Sequence, residues 1–487
     1  MPHVTAPQAS VRFGIAHADI TPSVGTYHRM WGAATHERSE GVHRPLRATV
    51  AMLLPDGAES DSSNNRDQEP LILVSLDHCL VGDEELQLLL DPIANSTRFS
   101  RDAITLVFSH THGAGLMTLD RRTLPGGEGI PDYLRSVGQT LGQLVVEVEQ
   151  RLQHATIVFG HGRCSLAAFR DQWDAASNQW VCGYVPEKPA DDTVVVARVT
   201  ADDGSTLATL VNYACHPTTL AWDNRLISPD YIGALREEVE RATGAPCVFV
   251  QGASGELGPV EGYVGDVQVA DRNGRQLAYS SLAALTALAP PQTSYRYAGP
   301  VVSGATIGVW KYEPLDAEAK QSLRHFRSRR WTIPLDYRTE LPTREQVAAD
   351  LQKWTQAESD AAAAGDESRR RDCRAMLERQ TRMARRLEQL PAGPHYPLEV
   401  RLWQLGDAFV LAVPGEHYSL LQTALRASMP EHPLVVATLA QGWGPSYLPD
   451  RDTYGKGIYQ ESIAIVAPGS LERIIEEVRQ ALNDWAK

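Results

Sequence analysis

The chain has 487 residues, 43% hydrophobic and 22% charged. These values sit close to the averages of folded domains, roughly 45 to 50% apolar and about 25% charged, and exclude a disulfide-stapled mini-protein or a disordered chain. Acidic residues outnumber basic ones by 60 to 46, a formal charge of -14, and no Lys/Arg-rich block gathers positive charge on one face, so nucleic acid is a poor partner. The first 22 residues lack a basic start and an apolar core, and no apolar run approaches the roughly 18 residues of a membrane helix. The expectation is a cytoplasmic protein without an integral membrane segment. Cys79, Cys164, Cys182, Cys215, Cys247 and Cys373 form no C-x-x-C pair and read as reduced core residues, not as a cysteine-rich metal site.

In chain order, β-rich runs occupy 11–16, 47–54, 70–76, 103–109, 155–160, 193–199, 208–214 and 246–252, with helical patterns at 131–153 and 230–243. This interleaving predicts an α/β fold of mixed β-sheets flanked by helices, its strands mostly buried. The polar stretch between Gly57 and Pro70 reads as an exposed hairpin loop. Residues 343–390 change character. Thr343 and Gln346 have capping-box spacing, Val347, Leu351 and Trp354 follow at helical intervals, 361–365 is a turn, and a second amphipathic stretch carries Met376, Met383, Leu387 and Leu390 before Pro391. The spacing predicts a helical hairpin inserted within a single domain spanning 1–487, with Arg369 to Arg371 on a solvated face. No internal repeat is present.

Three apolar runs end in groups suited to chemistry. The run at 103–109 leads into His110-Thr111-His112, the run at 208–214 into His216-Pro217, and Ala408 to Val413 into Pro414-Gly415-Glu416. Open α/β sheets place their sites at strand ends. Two histidines and a glutamate delivered there give the nitrogen and oxygen donors that suit Zn²⁺ with one position left for water.

These residues, with Ala18-Asp19-Ile20-Thr21-Pro22, Gly41-Val42-His43-Arg44-Pro45-Leu46-Arg47-Ala48, Ser109 to Gly115 and the tyrosine-rich tail at 447–459, follow in the order found in one family. The chain resembles the N-terminal catalytic domain of the neutral/alkaline, non-lysosomal ceramidases and their bacterial relatives. The resemblance implies that fold, places zinc ligands at His110, His216, Glu416 and Tyr447, and assigns active-site roles to His112, Tyr459 and Arg170. Tyr447 and Tyr459 reproduce the family's fixed tyrosine spacing. The family's N-x-G-D-x-S-P loop stands here as Ala253-Ser254-Gly255-Glu256-Leu257-Gly258-Pro259, so its serine position is Gly258. No C-terminal β-sandwich domain or secretory signal is expected, and a small soluble acylated compound is the expected substrate in place of ceramide.

The function so implied is zinc-dependent hydrolysis of an amide, ester or lactone by metal-activated water, with His112, Tyr459 and Arg170 serving the oxyanion and the leaving group. Asp19, Asp77 and Asp230 are candidates to orient the histidines. The loops 118–131 and 261–272 are candidate pocket walls, as are Trp31, Trp222, Trp310 and Trp443. Two alternatives remain: a catalytically inactive zinc-containing binding protein on the same scaffold, and a serine hydrolase using Ser254, although Glu256 breaks the G-x-S-x-G pattern. A metallo-β-lactamase reading of the H-x-H pair fits less well because Gly113-Ala114-Gly115 follows it, and an amidohydrolase-barrel reading because the pair does not lie on the first strand. A homo-oligomer is possible.

Overall fold

The computed structural model describes residues 2–56 and 66–485; most of the loop expected between Gly57 and Pro70 lies outside them. The main sheet has eight strands: β1 (Gln8–Asp19), β2 (Arg47–Pro55), β3 (Leu71–Leu76), β4 (Ile104–Phe108), β5 (Gln153–Arg163), β6 (Thr193–Ala201), β7 (Thr206–Tyr213) and β8 (Cys247–Gln251). They match the eight expected runs, with ends shifted by a few residues. Their order across the sheet is β8-β7-β6-β5-β1-β2-β3-β4. The pairs β3/β4 and β7/β8 are parallel and the other neighbours antiparallel. Each parallel pair is joined by a helix, α1 (Asp83–Ser96) and α3 (Tyr231–Thr243), as parallel pairing requires.

Side chains alternate between two apolar layers. Along β2, Ala48, Val50, Met52 and Leu54 face α1 and α2 (Ile130–Gln150), while Ala51 and Leu53 face the opposite way. Along β6, Val194 and Val196 face α3 and α4 (Val267–Thr286), and Val195, Ala197 and Val199 face inward. The inner face covers a second sheet, ordered β9 (Phe326–Asp336), β10 (His395–Leu405), β11 (Ala408–Ala412) and β12 (Leu434–Ala437). Trp403, Leu405, Val410 and Ala437 join this shared core. The intervening Leu398, Val400, Leu402, Phe409 and Leu411 pack outward, in a core that α7 (Leu420–Ser428) and α8 (Ser470–Trp485) share. This two-residue period is that of a sheet buried on both faces.

The main sheet curls around the second one. Its edge strand β8 comes back against β3 and β4 at the far edge, where Ser75 Oγ donates to Phe249 O at 3.2 Å. Asn212 on β7 ties the two sheets together. Its Nδ2 donates to Val250 O and Val436 O, both at 2.9 Å, and its Oδ1 accepts from Val436 N at 3.1 Å. The curl carries the C-terminal ends of β4 and β7, remote in strand order, to one place.

Two helices leave and return at one end of the β9/β10 ladder: α5 (Arg344–Ala363) and α6 (Glu367–Glu388). Thr343 and Gln346 form the capping box read from the sequence, and Val347 packs on Met383 and Leu387 between the helices. A long exposed hairpin, Thr293–Ser303 with Ala305–Pro314, carries Trp310 away from the motif segments. Among the described residues no helix is long and apolar enough to cross a membrane.

Candidate metal centre and active-site cavity

Beyond β4 the backbone turns sharply. His110 takes φ 66°, a left-handed conformation uncommon outside glycine and tolerated where surrounding structure fixes it. Its amide donates to His78 O at 2.9 Å. The rings of His110 and His112 nevertheless face one cavity, their centroids 5.0 Å apart. His216 follows β7, with its amide bonded to Leu257 O at 3.1 Å. Glu416 follows β11 through Gly415, whose φ of 96° suits glycine. The segment Glu416–His417 pairs in parallel with Tyr447–Leu448, which lays Tyr447 beside Glu416.

The donors converge tightly. His110 Nε2 lies 3.2 Å from His216 Nε2 and 3.3 Å from Glu416 Oε2, and His216 Nε2 lies 3.1 Å from Glu416 Oε2. Tyr447 Oη stands 3.2 Å from His216 Nε2. Tetrahedral donors about 2.0 to 2.1 Å from a zinc ion are separated by roughly 3.3 to 3.4 Å, so these edges fit one such ion. The tautomers agree. His110 Nδ1 donates to Cys79 O at 2.8 Å and His216 Nδ1 to Ser254 O at 2.7 Å. In a neutral ring this leaves each Nε2 lone pair directed at the shared point. The Tyr447 hydroxyl can supply one proton there, which does not satisfy three acceptors; a cation does. Backbone carbonyls, not carboxylates, thus orient the two histidines. Asp77 pairs with Arg236 instead, Asp230 caps α3 and Asp19 accepts from Thr21. A second grouping, Cys79, His110 and His112, shares His110.

Electrostatics set up competition between a proton and a metal. Burial, followed by the Arg170 charge, pulls the His216 pKa down to about 3. Burial also opposes charge on His110, but Cys79 and Glu416 raise its pKa well above the usual 6.5. Glu416 is held well below the usual carboxylate range by His110 and His216 despite its burial. A cation bound at this point would compete with a proton for the same donors.

Above this centre opens a cavity of about 370 Å³. Arg170 lines it, its Nη2 donating to Gly255 O at 2.7 Å and Tyr447 Oη at 3.2 Å. Tyr459 lies over Tyr447, ring centroids 5.9 Å apart, and is 43% exposed. His112 Nε2 has no partner among the described residues. Burial, then His110 and His216, push its pKa well below 6.5, so the ring is neutral.

No protein-family model matches the chain and no curated protein matches it in sequence. Among solved structures, neutral ceramidase from Pseudomonas aeruginosa is similar with a TM-score of 0.64 at 15% identity, over 99% of this chain and 75% of that one. A ceramidase complexed with C2 gives 0.60 at 15% identity, over 99% of this chain and 76% of that one. The chain has the neutral ceramidase fold.

Within this ceramidase fold, the departures noted in the sequence have clear locations. Ser254 stands behind His216, its Oγ accepting from Gln251 Nε2 at 2.7 Å and lying 3.3 Å from His216 Nδ1, the nitrogen turned away from the metal point. Gly258 pairs with Ala168. A side chain there would meet Arg170 Cδ, Thr218 Oγ1 and Tyr263 Oη at 3.7 to 3.9 Å, so the space for a serine is open. Glu256 points elsewhere, its carboxylate accepting from Ser419 N at 2.9 Å. Trp31 and Trp443 line the cavity and Trp222 backs Trp31, while Trp310 is remote. Thr118, Arg121 and Tyr263 confirm that both expected loops reach the wall. The sequence reading missed the roof. Helix α6 contributes Glu378, Arg379, Arg382, Arg385 and Arg386 to the cavity, a set signalled only by arginines recurring at intervals of three and four.

Proposed function

We propose that the chain is a zinc-dependent hydrolase that cleaves an amide, or a related ester or lactone, in a small acylated compound. It would act as one catalytic domain with 343–390 inserted. The observation that carries this reading is the trio of His110 Nε2, His216 Nε2 and Glu416 Oε2, mutually 3.1 to 3.3 Å apart at the floor of the cavity. The fold shared with ceramidases supports an amide as the scissile bond.

His110, His216 and Glu416, with Tyr447 at the fourth corner, would hold the ion. When bound, zinc supplies Lewis acidity and ionises water near neutral pH. The remaining steps belong to the chain. His112, neutral and with Nε2 free among the described residues, accepts a proton at that atom and returns it to the leaving nitrogen. Arg170, 4% exposed and anchored by Gly255 O, presents a fixed positive charge beside Tyr447 to the developing oxyanion. Tyr459 closes the cavity above and offers a hydroxyl donor to the same oxygen. Ser254 faces the wrong side of His216 to serve as nucleophile.

The test combines elemental analysis of the purified protein with hydrolysis of a panel of N-acyl amines, esters and lactones. His110→Ala and Glu416→Ala are expected to lose both zinc and turnover, by at least ~1,000-fold, whereas Ser254→Ala keeps most of its rate. The reverse pattern would transfer the chemistry to Ser254. Stoichiometric zinc with no turnover of any panel member would leave a binding protein.

A further inference from the structure

The charge of the cavity contradicts that of the chain. The protein as a whole carries -14, yet six arginines line the cavity (Arg121, Arg170, Arg379, Arg382, Arg385 and Arg386) against three carboxylates, Asp120, Glu378 and Glu416. The carboxylates are committed. Glu416 belongs to the donor trio, Glu378 accepts from Arg121 at 2.7 Å and pairs with Arg374 at 3.3 Å, and Asp120 pairs with Arg385 and Arg121. Arg385 is also held by Glu85, and Arg170 by Gly255 O and Tyr447. Arg379, Arg382 and Arg386 are left over, and of these Arg382 and Arg386 are the ones with buried nitrogens that lack a partner among the described residues.

These two lie one turn apart on α6, so their guanidinium groups share a face. Arg386 is 8% exposed, and its Nε and Nη1 have no hydrogen-bond partner among the described residues. The Trp443 ring lies 5.1 Å below it. Arg382 Nη2 donates to Met30 O, while its Nε is likewise unpartnered. Neither has a carboxylate within salt-bridge distance among the described residues. Burial lowers the Arg386 pKa only to about 10, so the charge persists at neutral pH. A buried guanidinium with idle donors is costly, and the planar fork is shaped for an anion with two oxygens.

We propose that Arg382 and Arg386 form an anion receptor in the roof of the cavity, and that the substrate is an acylated compound bearing an anionic group, a carboxylate or another oxyanion, in addition to its scissile bond. The substrate class rests on the hydrolase reading; the receptor does not. Trp443 and the apolar wall at Met30, Trp31 and Leu116 hold the carbon skeleton between the charge and the metal centre. A neutral lipid amide would leave both arginines unsatisfied.

Binding and turnover test the two parts separately. On the intact protein, isothermal titration calorimetry reports binding of hexanoate, hexylphosphonate and hexanamide. Either anion is expected to bind at least tenfold more tightly than the amide, and the stronger of the two identifies the oxyanion. Arg386→Gln should remove that difference and Arg386→Lys restore part of it, with zinc content checked in each. An anion bound by zinc alone would keep its affinity in Arg386→Gln and overturn the receptor. In turnover, N-hexanoylglycine is compared with N-hexanoylglycinamide, and the N-butyl monoamide of adipic acid with its carboxamide. At least one acid should exceed its neutral partner tenfold in kcat/KM through a lower KM, and Arg386→Gln should collapse the ratio. Equal rates for acid and neutral forms, unaltered in Arg386→Gln, overturn the substrate class while sparing the hydrolase reading. No turnover with Arg386-dependent binding overturns the hydrolase reading and leaves the receptor standing.

Discussion

At the residue scale, Glu256 shows how a site neighbour can control stability without touching the chemistry. Burial raises its pKa from 4.5 to about 7, and it is 4% exposed. Its two oxygens accept from Ser419 N and Ser419 Oγ, contacts that oppose the rise without cancelling it. Between pH 4.5 and about 7 the folded protein binds a proton that the unfolded chain has released. The stabilisation is therefore complete below 4.5 and is lost as pH rises through about 7, on the order of 3 kcal/mol. Glu256→Gln is expected to flatten this slope, leaving the variant at least as stable as the parent at pH 8 in urea denaturation; an unchanged slope would place the proton elsewhere. The sequence marked Glu256 only as a departure from the family loop. Its contact with Ser419, far along the chain, is formed by tertiary packing that no local pattern encodes. The proposed donors His110, His216 and Glu416 were legible for the opposite reason, since each follows closely on an apolar run.

At the element scale, the hairpin α5–α6 shows where periodicity suffices and where it stops. Caps, turn and apolar seam were readable because they are local. The surface on which α6 docks was not, because its contacts come from the loop after β1: Gly32 lies so close that a side chain there would stand 2.8 Å from Ala375 Cα. Arg385, paired with Asp120 and Glu85, pins the other end. The solvated run Arg369 to Arg371 is exposed as expected, and the arginines with idle donors are the ones further along the same helix. Gly32→Val is expected to lift α6 from the body at a cost of about 1 to 3 kcal/mol, since backbone at Ala375 cannot yield as a side chain would. Hydrogen exchange in residues 367–388 should quicken by roughly 10-fold or more, following that local opening energy, with strands β1 to β8 unaffected. Uniform acceleration throughout would show that the helix does not open separately.

At the scale of the whole molecule, the curl of the main sheet explains why chain order conceals the site. His110 and His216 follow strands at and near opposite edges of eight, and Glu416 follows a strand of the second sheet. Alternation of apolar residues identifies strands but not how far a sheet coils, so the meeting point followed from resemblance and geometry. One ion at this point would link three segments from two separate sheets, while Asn212 links the same sheets through hydrogen bonds alone. Metal bound only by the folded state then adds about 2.7 kcal/mol at a free concentration 100 times its Kd. With an unfolding entropy of about 2.1 cal/mol/K per residue, a chain of 487 residues shifts by roughly 1 °C per kcal/mol. Zinc should therefore raise the melting temperature of chelator-stripped protein by about 3 °C, and by a further ~1 °C for each tenfold excess. His216→Ala should abolish the rise, because removing one of three convergent donors dismantles the ligand set. Arg386→Gln should preserve it, because α6 contributes no donor. A zinc-dependent rise that survives His216→Ala would place the stabilising ion outside the fold's central seam.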